Sequence, residues 1–393
     1  MRHPPPSTRV TTVESASDRP RAILSIDGGG VRGVLALEIL VELEAALARA
    51  RHDPETRLTD CFALMAGTSV GAVLASLFAL GLSAASIREA FTRTLHASFT
   101  PAGWRHRLYY RYDKRYLENH IKELVGADTR LGSPRLRTLL LLAMCNATTN
   151  SPWIVSNHPG APFNYPDLDD CNLELPLWQL IRASAAAPSY FAPEIVTLGR
   201  RHPYRFMFMD GALTGYNNPA FKAVLFATTE PYGVNWRARE DELTLISIGT
   251  GQLHAHRRVT GLKPMNMFRL AARVPATLMD ASAREQDLLC RTFGRCRQGA
   301  DIDLEVKDMR TARTAVEPRL FTYYRLSASL SAEGLEALGC GHIDPAAVAP
   351  LDAVNHMDEL RQIGAAVARH GIGDEMLGRL LDAGAGGASG RMR

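Results

Sequence analysis

Gly67-Thr68-Ser69-Val70-Gly71 fits G-x-S-x-G, the sharp turn that lifts a serine off the end of a strand and points its hydroxyl into a cleft. Gly67 and Gly71 suit such a turn because side chains there would collide with the tightly folded backbone. The flanks agree. Phe62–Ala66 is a short apolar run before it, and Gly71–Leu80 carries Ser76 as its only polar side chain. A helix apolar nearly all round belongs inside a protein. Read alone, the segment also suits a plain helix start with Thr68 or Ser69 as the cap.

A second glycine-rich segment is Asp27-Gly28-Gly29-Gly30-Val31-Arg32-Gly33. Gly28, Gly30 and Gly33 match G-x-G-x-x-G, so a nucleotide-binding module without hydrolysis is one reading. A dinucleotide site also needs a second strand ending in an acidic residue about 20 positions later. The nearest candidate, Asp53, sits in the loop-like HDPET, and the G-K-[ST] of a phosphate loop is absent. What remains is a turn whose N–H groups can hold an anion. In acyl transfer that anion is the tetrahedral oxyanion. Arg32 either adds positive charge there or braces the loop through an ion pair.

The third segment is Asp210-Gly211-Ala212, directly after the apolar run Phe206–Met209. A carboxylate at a strand end can meet a serine from a neighbouring strand, or it can simply close an Asx turn. The group that takes the serine proton is open at this point. A Ser-Asp-His triad would use a histidine after Asp210, and these are His254, His256, His342, His356 and His370. None stands at a strand end.

These residues need a scaffold that gathers strand ends. Ala22–Ile26, Phe62–Ala66, Leu139–Met144, Trp153–Val155, Phe206–Met209 and Leu243–Ile248 read as strands, with helices over Val31–Ala50, Gly71–Leu80 and Leu177–Ala187. Repeated strand–turn–helix units predict an α/β fold: a mainly parallel sheet flanked by helices on both faces. Active groups then collect at the carboxyl ends of the strands. Phe321–Leu326 reads as a further strand. Leu360, Ile363, Gly364 and Val367 form a helical stripe with Asn355 as its cap, within a mostly helical C-terminal extension. The expected organisation is a disordered arm over 1–20, a catalytic core over 21–255, a part completing or covering it over 256–382, and a disordered tail over 383–393.

Composition sets limits. Apolar residues make up 46% and charged residues 22% of 393, enough for a large core. A net charge of +4 argues against a nucleic-acid partner. The six cysteines are scattered without C-x-x-C spacing, which predicts reduced thiols and no metal site. The N-terminus lacks an apolar signal core, and no apolar run is long enough to span a bilayer. A cytoplasmic protein with at most peripheral membrane contact is expected. Trp104–Tyr112 interleaves aromatic and basic residues, as either a lipid-headgroup surface or a partly buried connecting helix would.

In the order DGGGVRG, GTSVG, DGA, the chain resembles the patatin-like phospholipases. Ala183-Ser184-Ala185-Ala186-Ala187-Pro188-Ser189-Tyr190-Phe191 and Leu245-Ile246-Ser247-Ile248-Gly249-Thr250-Gly251 are similar to two further stretches of that family. The similarity runs from about Ala22 to Gly251. It implies a patatin-like fold and cleavage of fatty-acyl esters of membrane glycerophospholipids. Ser69 would be the nucleophile and Asp210 its base, in a dyad without histidine. Gly28, Gly29, Gly30 and Val70 would supply oxyanion N–H groups, with Arg32, Gly67, Gly71 and Gly211 in support. No cofactor is implied. Some bacterial members are switched on by cyclic nucleotides in anti-phage defence, and the Arg291–Arg313 stretch could contact such an activator. A homo-oligomer is compatible with this reading.

Overall fold

A computed structural model describes residues 19–103, 109–252 and 267–384. The N-terminal arm, apart from its last two residues, lies outside them. So do the tail from 385 onward, His254, His256 and the 104–108 part of the aromatic-basic stretch.

The strands are β1 (Arg21–Ile26), β2 (Leu64–Thr68), β3 (Leu139–Asn146), β4 (Ser151–Ser156), β5 (Glu194–Leu198), β6 (Tyr204–Asp210), β7 (Leu243–Ile248), β8 (Arg295–Gln298) and β9 (Thr322–Leu326). They form one mixed sheet in the order β5-β6-β3-β2-β1-β7-β9-β8, with β4 paired to β3 off that path. The central run from β3 to β8 is parallel, and β4, β5 and β6 join antiparallel. The predicted α/β architecture is therefore present, with an antiparallel flank.

The helices are α1 (Gly33–Arg51), α2 (Val70–Ala79), α3 (Ala84–Ser98), α4 (Lys114–Val125), α5 (Leu177–Ser184), α6 (Ala220–Thr228), α7 (Met267–Phe293), α8 (Ala332–Ala337), α9 (Pro345–Val348), α10 (Met357–Gly371) and α11 (Asp374–Gly384). They cover both faces of the sheet. Leu24 and Ile26 point into one core with α1, α2, α5 and α10, while Ile23 points into another with α6 and Cys290 of α7. Strands buried on both faces need no polar alternation, which is why β2 and β7 are buried at every position. All of α2 is buried too, as its composition requires.

The chain beyond residue 255 enters the same sheet, with β9 beside β7 and α10 laid across α1. A Cβ on Gly364 would sit 2.5 Å from the Leu35 carbonyl oxygen, so the two helices cross at backbone contact. Asn355 does not cap α10. It lies in the preceding 3-10 turn, and the cap position is His356.

One detail of register positions the site. β4 fills one edge of β3 along 141–146, so β2 and β6 must share the other edge. β2 ends with Thr68 opposite Ala143, and β6 ends with Asp210 opposite Met144. The two strands run towards each other and stop at adjacent rungs of β3.

Candidate active site

Ser69 follows Thr68 off β2 and turns straight into α2 with φ 55 and ψ −124. A non-glycine residue held there costs roughly 1–3 kcal/mol and persists only where the surroundings enforce it. Here they do. A Cβ on Gly67 would meet the Gly71 carbonyl at 2.1 Å, and one on Gly71 would meet the Ile26 carbonyl at 2.2 Å. The Ser69 N–H donates to Ser184 Oγ at 2.9 Å, and that hydroxyl donates to the Ala143 carbonyl at 2.6 Å. Thr68 Oγ1 donates to the Tyr216 carbonyl at 2.6 Å. Ser69 occupies the cap position of α2 but makes no side-chain cap bond.

Its hydroxyl instead donates to Asp210 Oδ2 at 2.6 Å. Asp210 Oδ1 accepts the Ala212 N–H at 2.9 Å, so the carboxylate closes an Asx turn with one oxygen and meets the serine with the other. Asp210 is 3% exposed. Burial raises its pKa to about 6, against the lowering effects of the Ser69 and Ala212 hydrogen bonds and the Arg182 charge. A Cβ on Gly211 would lie 2.2 Å from the Ala143 carbonyl and 2.9 Å from Thr68 Cγ2, so only glycine lets β6 end this close to the elbow.

The glycine loop faces the same point. A Cβ on Gly28 would lie 3.3 Å from Ser69 Cβ. The Gly28 N–H, however, donates to the Asn217 carbonyl at 2.9 Å. It is a structural bond, which counts against the expected role of this amide as an oxyanion donor. The N–H groups of Gly29, Gly30 and Val70 take no acceptor among the described residues. Thr250 Oγ1 holds the loop by donating to the Gly28 carbonyl at 2.8 Å. Gly30 adopts φ 58 against the Leu351 carbonyl, which accepts the Val31 N–H at 2.8 Å. Gly33 is where α1 meets Val70, whose Cγ2 would lie 2.4 Å from a Cβ there. The third glycine of the G-x-G-x-x-G pattern is thus accounted for by packing.

Asp27, the acidic head of the loop, is held in a buried ion pair. Arg325 donates to Oδ1 at 2.9 Å and to Oδ2 at 2.5 Å. Arg32 is buried, and its Nη1 donates to the Gly251 carbonyl at 3.2 Å, tying the loop to the end of β7. Burial lowers its pKa, and the charge of Asp280 opposes that.

His342 pairs with Gln362, His356 with Glu359, and His370 with the Ala366 carbonyl. Among the described residues no histidine bonds to Ser69 or Asp210. No group of three or more His, Cys, Asp or Glu side chains is placed to hold a metal ion among them either.

A family model described as patatin-like phospholipase matches residues 24–224, just over half of the chain. The chain belongs to that family. Patatin-17 of Solanum cardiophyllum is 29% identical over 243 residues, covering 58% of this chain and 60% of patatin-17. A cGAMP-activated phospholipase of Escherichia coli is 32% identical over 221 residues, covering 54% and 57%. A probable inactive patatin-like protein of Arabidopsis thaliana is 26% identical over 246 residues, covering 60% and 62%. This patatin-like chain thus spans about 60% of the length of the curated relatives it matches. Active and inactive names stand side by side among them, so membership leaves the chemistry to the site.

Several residues of this patatin-like site carried no signal that sequence reading used. Ser184 lies in a stretch noted for resemblance alone, yet it clamps the elbow to β3. Arg182, two residues earlier and fully buried, donates to the Ala192 carbonyl at 2.8 Å and lends its charge to Asp210. An always-charged side chain within the apolar run Leu180–Ala183 was the available clue. Asn217 lies in the loop just after the Asp210-Gly211-Ala212 turn but belongs to no motif, and Arg325 stands far from all of them.

Proposed function

We propose that this chain is a lipid acyl hydrolase of the phospholipase A type, with Ser69 as nucleophile and Asp210 as base. The observation that carries the reading is the 2.6 Å bond from the Ser69 hydroxyl to a buried carboxylate whose pKa is raised to about 6. A water-exposed aspartate, with a pKa near 3.9, is too weak a base for a hydroxyl. Burial brings Asp210 towards the operating pH, where a general base works best.

In the proposed cycle Ser69 Oγ attacks the acyl carbonyl carbon as its proton passes to Asp210 Oδ2. The carbonyl oxygen becomes an oxyanion held by the N–H groups of Gly29, Gly30 and Val70. Gly28 keeps the loop in place through Asn217 and Thr250. Collapse of the intermediate breaks the ester bond, and Asp210 returns the proton to the departing alcohol oxygen. Water then attacks the acyl-serine, losing a proton to Asp210, and the fatty acid leaves as Ser69 is regenerated. Removing one oxyanion donor typically costs about 10²–10³-fold.

Phospholipids are the proposed substrates on the strength of the family, approached from the cytoplasmic side of a membrane. Among the described residues no helix is long and apolar enough to cross one. Of the aromatic-basic stretch, Tyr109 is 78% exposed and suits a lipid surface, whereas Tyr112 donates to Asp352 at 2.7 Å and serves packing.

The test is a lipid panel with products identified by mass spectrometry. Ser69→Ala is expected to release no fatty acid above background, and Asp210→Asn to lower release by about 10²–10⁴-fold. Wild-type rates in either folded variant would refute the assignment. A second reading, gating by a cyclic nucleotide, is favoured by the name of the Escherichia coli relative. The arginine stretch gives it little support, because Arg291, Arg295, Arg297 and Arg310 already pair with Asp287, Glu317, Glu240 and Asp308. Equal rates with and without cGAMP would remove it.

A further inference from the structure

Asn217 stands where the three segments of the site converge, between the Asp210 turn and α6. Its carbonyl holds the Gly28 N–H at 2.9 Å, and its neighbour's carbonyl, Tyr216, holds Thr68 Oγ1 at 2.6 Å. The next side chain, Asn218, accepts the Ala220 N–H at 3.0 Å through its Oδ1, while its buried Nδ2 has no partner among the described residues. The Asn217 carboxamide makes no hydrogen bond at its oxygen. The residue is 6% exposed, and its Oδ1 is fully buried without a hydrogen-bond partner among the described residues.

Its place is specific. A Cβ on Gly28 would meet Asn217 Oδ1 at 2.4 Å and Ser69 Cβ at 3.3 Å. The carboxamide and the serine therefore flank the same point beneath the glycine loop. Buried side-chain amides nearly always find partners in the protein, so one left unpaired beside a reactive hydroxyl suggests a partner that arrives with the substrate. The amide has two donors and one acceptor, and a half-turn about its last bond exchanges their positions. It can thus offer an N–H where the Gly28 amide cannot.

We propose that Asn217 is a catalytic residue whose carboxamide N–H donates to the acyl carbonyl oxygen as that oxygen takes up negative charge. The proposal rests on the reading of Ser69 as nucleophile. The side chain supplies the donor that the Gly28 main chain gives up to the Asn217 carbonyl. Both halves of Asn217 then serve the oxyanion hole, the carbonyl by shaping the loop and the carboxamide by filling the missing position.

Substitution separates the two, because the carbonyl survives any change of side chain. Asn217→Ala removes the amide. Asn217→Asp keeps its shape but offers only acceptors at neutral pH. With a soluble short-chain p-nitrophenyl ester, each is expected to lower kcat by about 10²–10³-fold and to leave KM nearly unchanged. A trifluoromethyl ketone, which adds Ser69 to form a tetrahedral anion, should lose affinity by the same factor as kcat/KM falls. A purely structural residue would not produce that parallel. If Asn217→Ala does not fold, Asn217→Asp decides alone. Wild-type kcat in Asn217→Asp, or unchanged ketone affinity in a slowed variant, overturns the proposal. Ser69→Ala is assayed beside them. If it stays active, the nucleophile is misassigned. If it is inactive while the Asn217 variants match wild type, only the role of Asn217 falls.

Discussion

A carboxylate that must take a proton from serine works best when it is reluctant to be charged. Asp210 meets that condition through burial, and the same burial has two measurable consequences. Catalysis needs the ionised form, so kcat/KM is expected to fall as the pH drops below about 6 and to level off above it. Stability runs the other way. A carboxyl group whose folded pKa is raised contributes stability that is complete below its unfolded pKa near 3.9 and is lost as the pH rises through about 6. At neutral pH the ionised Asp210 therefore holds the fold down by about 3 kcal/mol. Asp210→Asn should raise Tm relative to wild type at pH 8, keep about half of that advantage at pH 5 and lose most of it by about pH 4. An advantage independent of pH would mean that Asp210 is not the group responsible.

At the scale of elements, the elbow is a packing device as much as a catalytic one. Gly71 lets α2 start directly against the end of β1, because a Cβ there would strike the Ile26 carbonyl at 2.2 Å and the Asp27 carbonyl at 2.7 Å. Gly71→Ala is expected to lower stability by about 3 kcal/mol, read from the urea midpoint, and to displace the glycine loop so that activity falls with it. Most of these elements were legible beforehand. The buried strands show as unbroken apolar runs, and Ser69, Asp210 and the glycine loop each stand at the end of one. Two strands went unread for physical reasons. β8, Arg-Cys-Arg-Gln, lies on the sheet edge and carries charge on its solvated side. β5 alternates buried and exposed residues over only five positions. The fate of the Gly28 amide was equally invisible, because its acceptor is a main-chain carbonyl that no residue type announces.

Across the whole molecule, β1 and β9 are joined by the Asp27–Arg325 pair, both partners at most 5% exposed at their side chains. Ser247 Oγ shares the same guanidinium at 2.7 Å, so the pair also fixes β7 between them. Nothing in the sequence links two residues separated by 298 positions, and the role of Asp27 in its motif could not be read there. Breaking a buried pair from one side leaves a charge without a partner and costs about 3–5 kcal/mol. Arg325→Met should show that loss by chemical denaturation. Asp27→Asn added to it should recover part of the loss, since no bare charge remains. Because an unpaired Asp27 takes up a proton more readily, the deficit of the single variant should narrow as the pH falls. A deficit unmoved by pH or by the second substitution would place the cost in packing.

The meeting of β2 and β6 on neighbouring rungs of β3 also bears on how such a chain can vary. The spacing of serine and carboxylate is set by a single strand, although the two stand 141 positions apart in the chain. Loops between the elements of that intervening chain can lengthen, shorten or acquire new surfaces without altering the pair, provided β3, α2 and the Ser184 clamp keep their places. β3 works as a ruler, and the parts of the protein that choose a substrate are free to diverge around it.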